Sequence, residues 1–187
     1  MEQSGGMNDR IAAGSIAVQE AGIYGLSSLQ GLLTLSKKNH RRLSSLASQA
    51  LSQLFINTLL PQRALIPLYS RPIDDESYTS QNLQQLHLLW YFESILKTMY
   101  LDFIRVLEAL SHDTILHTKS QALTLMYDLL TAAPEQEKNL LALIVNKLVS
   151  FFFFFLSFSF FDNFNRNNRE IQKQKLLLKL VIYFLNY

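Results

Sequence analysis

The one dense cluster of basic residues in the sequence is KKNHRR at residues 37–42. Such a cluster can bind the phosphate groups of RNA through charge and hydrogen bonds. We expect a helix to begin near Asn39, and cations at a helix start oppose the helix dipole, so an external anion would relieve that conflict. The simpler interpretation, which we favour, is a solvated helix end or part of a nuclear-import signal, because no aromatic side chains for stacking bases are interleaved. The candidate RNA-binding residues are Lys37, Lys38, Arg41 and Arg42.

Catalytic and metal-binding patterns are not recognisable elsewhere in the sequence. His112 and His117 flank Asp113, but they are five residues apart on different faces of a helix, so a structural joint is favoured over a metal site. The glycines form no phosphate-binding loop, and no serine has the context of a nucleophile elbow. The chain has no cysteine, which excludes thiolate ligands and a cysteine nucleophile. We therefore predict no catalytic residue, metal, cofactor or small-molecule substrate, and no enzymatic activity.

Aromatic residues are the other chemically distinctive group. Trp90, Tyr91 and Phe92 are consecutive and must point around a helix, which predicts a core position covered by neighbours on two sides, with an aromatic ligand pocket as the minor alternative. His87 is predicted to be packed or half-buried. Glu93 and Lys97 are spaced for a favourable pair on the polar face of the same helix.

The elements that carry these residues are predicted to be helices, because apolar residues recur at intervals of three or four. The longest covers about residues 82–110. Asp9 is expected to cap the first helix and Pro134 to lie in the first turn of the last one. The remaining helices are predicted at about residues 26–35, 39–60 and 114–131. Residues 61–81 hold three of the four prolines and are expected to form a long loop, with residues 65–69 lying on the core.

The fold class that follows is all-α. Successive helix pairs are spaced by about forty residues, which is typical of HEAT or armadillo repeats and predicts a helical-repeat solenoid. The 187 residues carry a net charge of only +2, so no overall field points to nucleic acid. We expect a disordered N-terminus over residues 1–8, a helical-repeat region over residues 9–148, and a separate tail over residues 149–187.

The tail has a different composition, with eight Phe among residues 151–161. One hypothesis is a membrane anchor, but the uncharged run is shorter than the roughly twenty residues that a spanning helix needs. The hypothesis we favour is a translated retained intron or a gene-model error, because pyrimidine-rich codons encode Phe, Leu and Ser, and Val149-Ser150 can be encoded by a splice-donor consensus.

Four phrases, in order and at suitable spacing, resemble one known family. They are DRIAAGSIAVQEAGIYGLSSLQGLL (residues 9–33), LFINTLLPQRALIPLYSRPI (residues 54–73), LLWYFESILKTMYLDFIRVLEALSHD (residues 88–113) and PEQEKNLLALIVNKL (residues 134–148). Together they resemble the CCAAT-binding-factor family of nucleolar proteins. After Leu148 the family pattern continues into a partner helix, which this chain replaces with the Phe run.

The resemblance implies a truncated, non-catalytic α-solenoid scaffold for assembly of the large ribosomal subunit. It also implies location in the nucleus and nucleolus, a nucleolar-complex partner protein, and pre-ribosomal particles with their rRNA. The alternatives are a membrane-attached helical protein that uses the Phe-rich tail, and a CCAAT-binding transcription regulator, which only the family name favours.

Overall fold

The computed structural model describes residues 6–71 and 80–162, with the backbone alone over residues 80–83 and 150–162. Throughout these two ranges the regular structure is helical and no β-strand is present, which confirms the all-α prediction. The helices are α1 (Met7–Ala21), α2 (Leu26–Ser36), α3 (Arg41–Leu54), α4 (Ser80–Ser111), α5 (Leu116–Ala132) and α6 (Glu137–Asp162). Contacts divide the chain into two units, residues 1–145 and 146–187.

The first unit is built from α1, α2 and α3, which pack against one another, and from the pair α4 and α5. Helix α2 contacts α4, and α3 contacts α5, so one core runs through both groups. At its centre the ring of Phe55 lies 5.0 Å from that of Tyr100 and 5.4 Å from that of Phe103, between centroids. Three buried rings at these separations contribute pair interactions beyond the area they bury.

Two glycines explain why the first apolar stretch breaks into α1 and α2. Gly22 has a φ of +53°, a conformation that residues with a Cβ rarely adopt. A Cβ on Gly25 would lie 3.0 Å from the Cα of Val18, so the turn can pack against α1 only without a side chain. The short 3-10 turn Gly22–Gly25 therefore separates the helices just before residue 26, where the second helix was predicted to begin.

Helix ends differ from the predictions in three places. Helix α1 begins at Met7, and Asp9 is its third residue, whose carboxylate accepts a hydrogen bond from the Gly6 N–H at 2.8 Å. Asp9 is thus not the capping residue itself, and of the segment predicted to be disordered, residues 1–5 lie outside the described residues. Helix α3 gives way to a π-helical turn, Phe55–Leu59. Pro134 lies in a turn before α6 rather than inside it.

The segment between α3 and α4 is irregular except for the 3-10 turn Leu68–Ser70, and residues 72–79 lie outside the described ranges. Leu65 is buried, as predicted, but Tyr69 is 87% exposed, so only part of residues 65–69 lies on the core.

Glu93 fastens this segment to α4. Its carboxylate accepts hydrogen bonds from Arg63 Nη1 and Arg71 Nη2, each at 2.5 Å, and from the Ile66 N–H at 3.0 Å. Burial opposes ionisation of Glu93, but the bond from Arg63, the Ile66 N–H and the charges of Arg63 and Arg71 outweigh it and hold the pKa of this carboxyl below its usual value. Arg71 also lies over the Trp90 ring, 5.5 Å from its centroid.

Glu135 fastens the same segment to the joint between α5 and α6. It accepts a hydrogen bond from the Leu65 N–H at 2.6 Å and from Lys97 Nζ at 2.9 Å, and Lys97 also donates to the Leu65 carbonyl at 2.8 Å. Burial, with the charge of Glu135, raises the pKa of Tyr100 beside it. The predicted pair between Glu93 and Lys97 is therefore wrong, because each side chain bonds to partners far away in the sequence.

The consecutive aromatic residues are only partly in the core. Trp90 is buried, with the His87 ring 5.6 Å away between centroids, and Phe92 packs on the core. Tyr91 is exposed, which corrects the prediction that all three would be covered.

In the second unit, residues 146–162 have helical backbone, and residues 163–187 lie outside the described ranges. No helix in the described ranges is long and apolar enough to cross a membrane. The predicted intron origin of residues 149–187 stays a prediction.

Candidate nucleic-acid interface

The basic cluster occupies the turn from α2 to α3. Lys37 is the C-cap residue directly after α2, and Lys38 follows it. Arg41 and Arg42 are the first two residues of α3. His40 caps α3, and its Nδ1 accepts a hydrogen bond from the Leu43 N–H at 3.3 Å. The turn therefore presents its cations at two helix ends of opposite polarity.

This placement changes the electrostatic argument for the cluster. Positive charge is favoured at the C-terminal end of a helix, so Lys37 and Lys38 interact favourably with the dipole of α2. Arg41 and Arg42 are at the unfavourable end of α3, but Arg41 donates a hydrogen bond to the Asp113 carboxylate at 3.2 Å. The conflict that motivated the RNA prediction is therefore smaller than the sequence suggested.

An open groove of about 690 Å³ runs beside this turn, and we call it the basic groove. One wall is the α2–α3 turn, and the other is the C-terminal part of α4 with the joint between α4 and α5. Its charged residues are four cations and two carboxylates: Lys37, Lys38, Arg41, Arg105, Asp102 and Asp113. The four cations and two carboxylates give the groove a net charge of +2, equal to that of the whole chain.

Three ion pairs cross or line the basic groove. Asp102 accepts hydrogen bonds from Lys37 Nζ at 3.2 Å and from Arg105 Nη1 at 3.0 Å, and Asp113 accepts one from Arg41 Nε at 3.2 Å. All three cations are exposed to solvent. Exposed pairs of this kind contribute only about 0–1 kcal/mol each and are weakened by salt, so the cations can exchange partners readily.

Asp113 also shapes the joint between α4 and α5. Its Oδ1 accepts a hydrogen bond from the Ile115 N–H at 3.1 Å. That bond, more than the neighbouring charge of Arg41, holds the pKa of the Asp113 carboxyl below its usual value. In the described part of the chain, no group of three or more His, Asp or Glu side chains is placed to hold a metal ion.

Three of the four candidate residues, Lys37, Lys38 and Arg41, line the basic groove together, and the fourth lies apart. Arg42 faces another groove, with His40 and the first residues of α1. Arg105 also lines the basic groove, but the sequence did not predict it, because it lies more than sixty positions beyond the cluster. Its only local signal is the three-residue spacing from Asp102.

Comparison with known proteins adds the family. No family model matches the chain, but curated relatives are 30–42% identical to it over about 78% of its length. Human CCAAT/enhancer-binding protein zeta is 38% identical over 151 residues, which are 78% of this chain and 14% of the human protein. The ribosome biogenesis protein NOC1 of Chaetomium thermophilum is 34% identical over 161 residues, 78% of this chain and 16% of that protein.

Nucleolar complex protein 1 of Drosophila melanogaster is 30% identical over 152 residues, 77% of this chain and 13% of the fly protein. The chain thus spans about one seventh of the length of the curated relatives it matches.

Proposed function

The chain belongs to the family of CCAAT/enhancer-binding protein zeta and nucleolar complex protein 1, and from this membership we propose that it acts in the assembly of ribosomes. The observation that carries the proposal is its 34% identity, over 161 residues, to a protein named for ribosome biogenesis. More specifically, we assign it to the large subunit, in the nucleolus, as a scaffold without catalysis.

The helical architecture supports a scaffold. Helices α2 and α3 form one pair, and α4 and α5 form another, each joined by a short turn. The two pairs stack through contacts of α2 with α4 and of α3 with α5. Stacked pairs are how helical repeats build extended binding surfaces. On this proposal the pairs are units of a HEAT-like solenoid, whose surfaces hold a nucleolar-complex partner protein and pre-ribosomal particles.

A CCAAT-binding regulator is the second candidate, favoured by the name of the human relative. Reading base pairs requires an element that enters a groove of the duplex and side chains that reach base edges. The basic groove instead presents lysine and arginine side chains beside two carboxylates, an arrangement suited to backbone contacts.

The test is co-sedimentation of the tagged full-length chain with pre-ribosomes from nucleolar extract on a sucrose gradient. We expect the chain in the fractions that hold large-subunit precursors, and we expect ribonuclease treatment to change that profile. A longer relative from the same extract is the positive control. If the relative stays with the precursors while this chain remains at the top of the gradient, the proposal is wrong. Preference for CCAAT duplex over a scrambled duplex would favour the second candidate.

A further inference from the structure

Two grooves of the first unit meet at one lysine. Lys38 lines the basic groove and also lines a second open groove of about 430 Å³ between α1 and α2. The second groove contains another cation, Arg10. The two grooves together therefore carry five cations (Arg10, Lys37, Lys38, Arg41 and Arg105) against the two carboxylates Asp102 and Asp113.

Many of the side chains that line the second groove are short, so they rise little above the helix backbone. Small residues form half of the lining, namely Ala13, Gly14, Ala17, Ser28 and Gly31. A Cβ built on Gly31 meets nothing within 4 Å, so open space lies directly above the helix backbone there. A long, narrow chain can approach such a surface closely, and the cations Arg10 and Lys38 of the same groove can hold its charges.

The cations differ in how they are held. Lys37 and Arg105 share Asp102, and Arg41 pairs with Asp113. In the described ranges no ion pair joins Arg10 or Lys38 to a carboxylate, and both side chains are exposed. A polyanion can bind Arg10 and Lys38 directly and take the other three cations from Asp102 and Asp113, because exposed ion pairs contribute little and are replaced readily.

We propose that the two grooves form one track for the phosphate backbone of RNA, with Lys38 at its centre, and that Asp102 and Asp113 hold the cations in position while the track is empty. The choice of RNA over another polyanion rests on the proposed function. Among the described side chains that line the two grooves, His112 has the one aromatic ring, so successive bases have no continuous stacking platform there. Binding is accordingly insensitive to base sequence.

The test uses the full chain, a fluorescein-labelled single-stranded RNA of mixed sequence, and fluorescence anisotropy at graded KCl concentrations. Lys38→Glu is expected to weaken binding about tenfold at low salt and to lower the slope of log K against log salt by about 1. Lys138→Glu makes the same charge change on an exposed residue outside both grooves and should leave the affinity within about twofold. Equal weakening by the two variants would overturn the track.

Two further variants separate a track from a general charge effect. Gly31→Gln fills the second groove without changing charge and should weaken binding several-fold, whereas Gly31→Ala should not. Asp102→Asn should tighten binding several-fold, because Lys37 and Arg105 lose their competing anion; Glu20→Gln, an exposed carboxylate outside the grooves, is its control. Unchanged affinity in Gly31→Gln, or weaker binding in Asp102→Asn, would overturn the proposal.

The result also separates this inference from the proposed function. A labelled polyglutamate peptide that binds more tightly than the RNA would overturn RNA as the ligand. If the chain co-sediments with pre-ribosomes while Lys38→Glu and Lys138→Glu bind RNA alike, the track is wrong and the proposed function stands. If the RNA results are as expected but the chain does not co-sediment with the large-subunit precursors, the track stands and the proposed function fails.

Discussion

Ion pairs join distant segments in two regions of this molecule, and the carboxylates are buried more deeply in one region than in the other. Glu135 is 1% exposed and Glu93 9%, and both bind backbone N–H groups as well as cations. In the basic groove the carboxylates of Asp102 and Asp113 are 34% and 13% exposed, and the cations Lys37, Arg41 and Arg105 are 45%, 58% and 66% exposed. Removing one partner of a buried pair leaves an uncompensated charge and costs about 3–5 kcal/mol, whereas an exposed pair contributes about 0–1 kcal/mol. The buried region therefore holds the fold, and the exposed region holds charge that a ligand can use.

The largest loss of stability is expected when Glu135, in the buried region, is replaced. Glu135→Ala leaves the Leu65 N–H and Lys97 without their carboxylate, so we expect the free energy of unfolding to fall by about 3–5 kcal/mol, measured by denaturation in urea. The control is Glu137→Ala, an exposed acid at the start of α6, which should change it by no more than about 1 kcal/mol. Similar losses in the two variants would show that Glu135 is no more important than a surface acid.

Substitution of Glu93 should lower the free energy of unfolding by less than that of Glu135, and the loss should depend on pH. Glu93→Gln removes the charge that Arg63 and Arg71 face, and we expect a loss of about 1.5–3 kcal/mol at neutral pH. The pKa of Glu93 is lowered from 4.5 on folding, so its charge stabilises the fold above that pH, and the contribution is lost as the pH falls towards the folded-state pKa.

The stability difference between wild type and Glu93→Gln should accordingly be constant near neutrality and shrink below about pH 4.5. Urea denaturation at a series of pH values measures it. A difference that stays constant down to pH 3 would contradict a charge effect and indicate lost packing instead.

The contrast between the regions also explains what could be predicted from sequence. Helical periodicity depends on neighbours three and four positions apart, so it located α2, α4 and α5 to within about two residues. The same local rule failed for Glu93 and Lys97. Arg63 lies 30 positions before Glu93, and Glu135 lies 38 positions after Lys97, so no local pattern reveals these partners.

The candidate site was predicted in part for the same reason. Lys37, Lys38 and Arg41 are close in sequence, and the α2–α3 turn keeps them on one groove. Arg42 is adjacent to Arg41 but faces another groove, because successive residues in the first turn of a helix point in different directions. The second wall, with Asp102 and Arg105, depends on how α2 packs on α4, which the composition of neither helix reveals.

The exposed pair of Lys37 and Asp102 should contribute least to stability. A double-mutant cycle of Lys37→Ala and Asp102→Ala should give a coupling energy of about 0.2–1 kcal/mol, since Asp102 is shared with Arg105 and both partners are exposed. In 1 M KCl, where the screening length is about 3 Å, the coupling should disappear. The matched cycle of Lys97→Ala and Glu135→Ala should keep a larger coupling in the same salt, because water and ions do not reach Glu135. A Lys37–Asp102 coupling above about 2 kcal/mol that persists at high salt would show that this pair stabilises the fold. Lys37 would then not be free to exchange Asp102 for a phosphate.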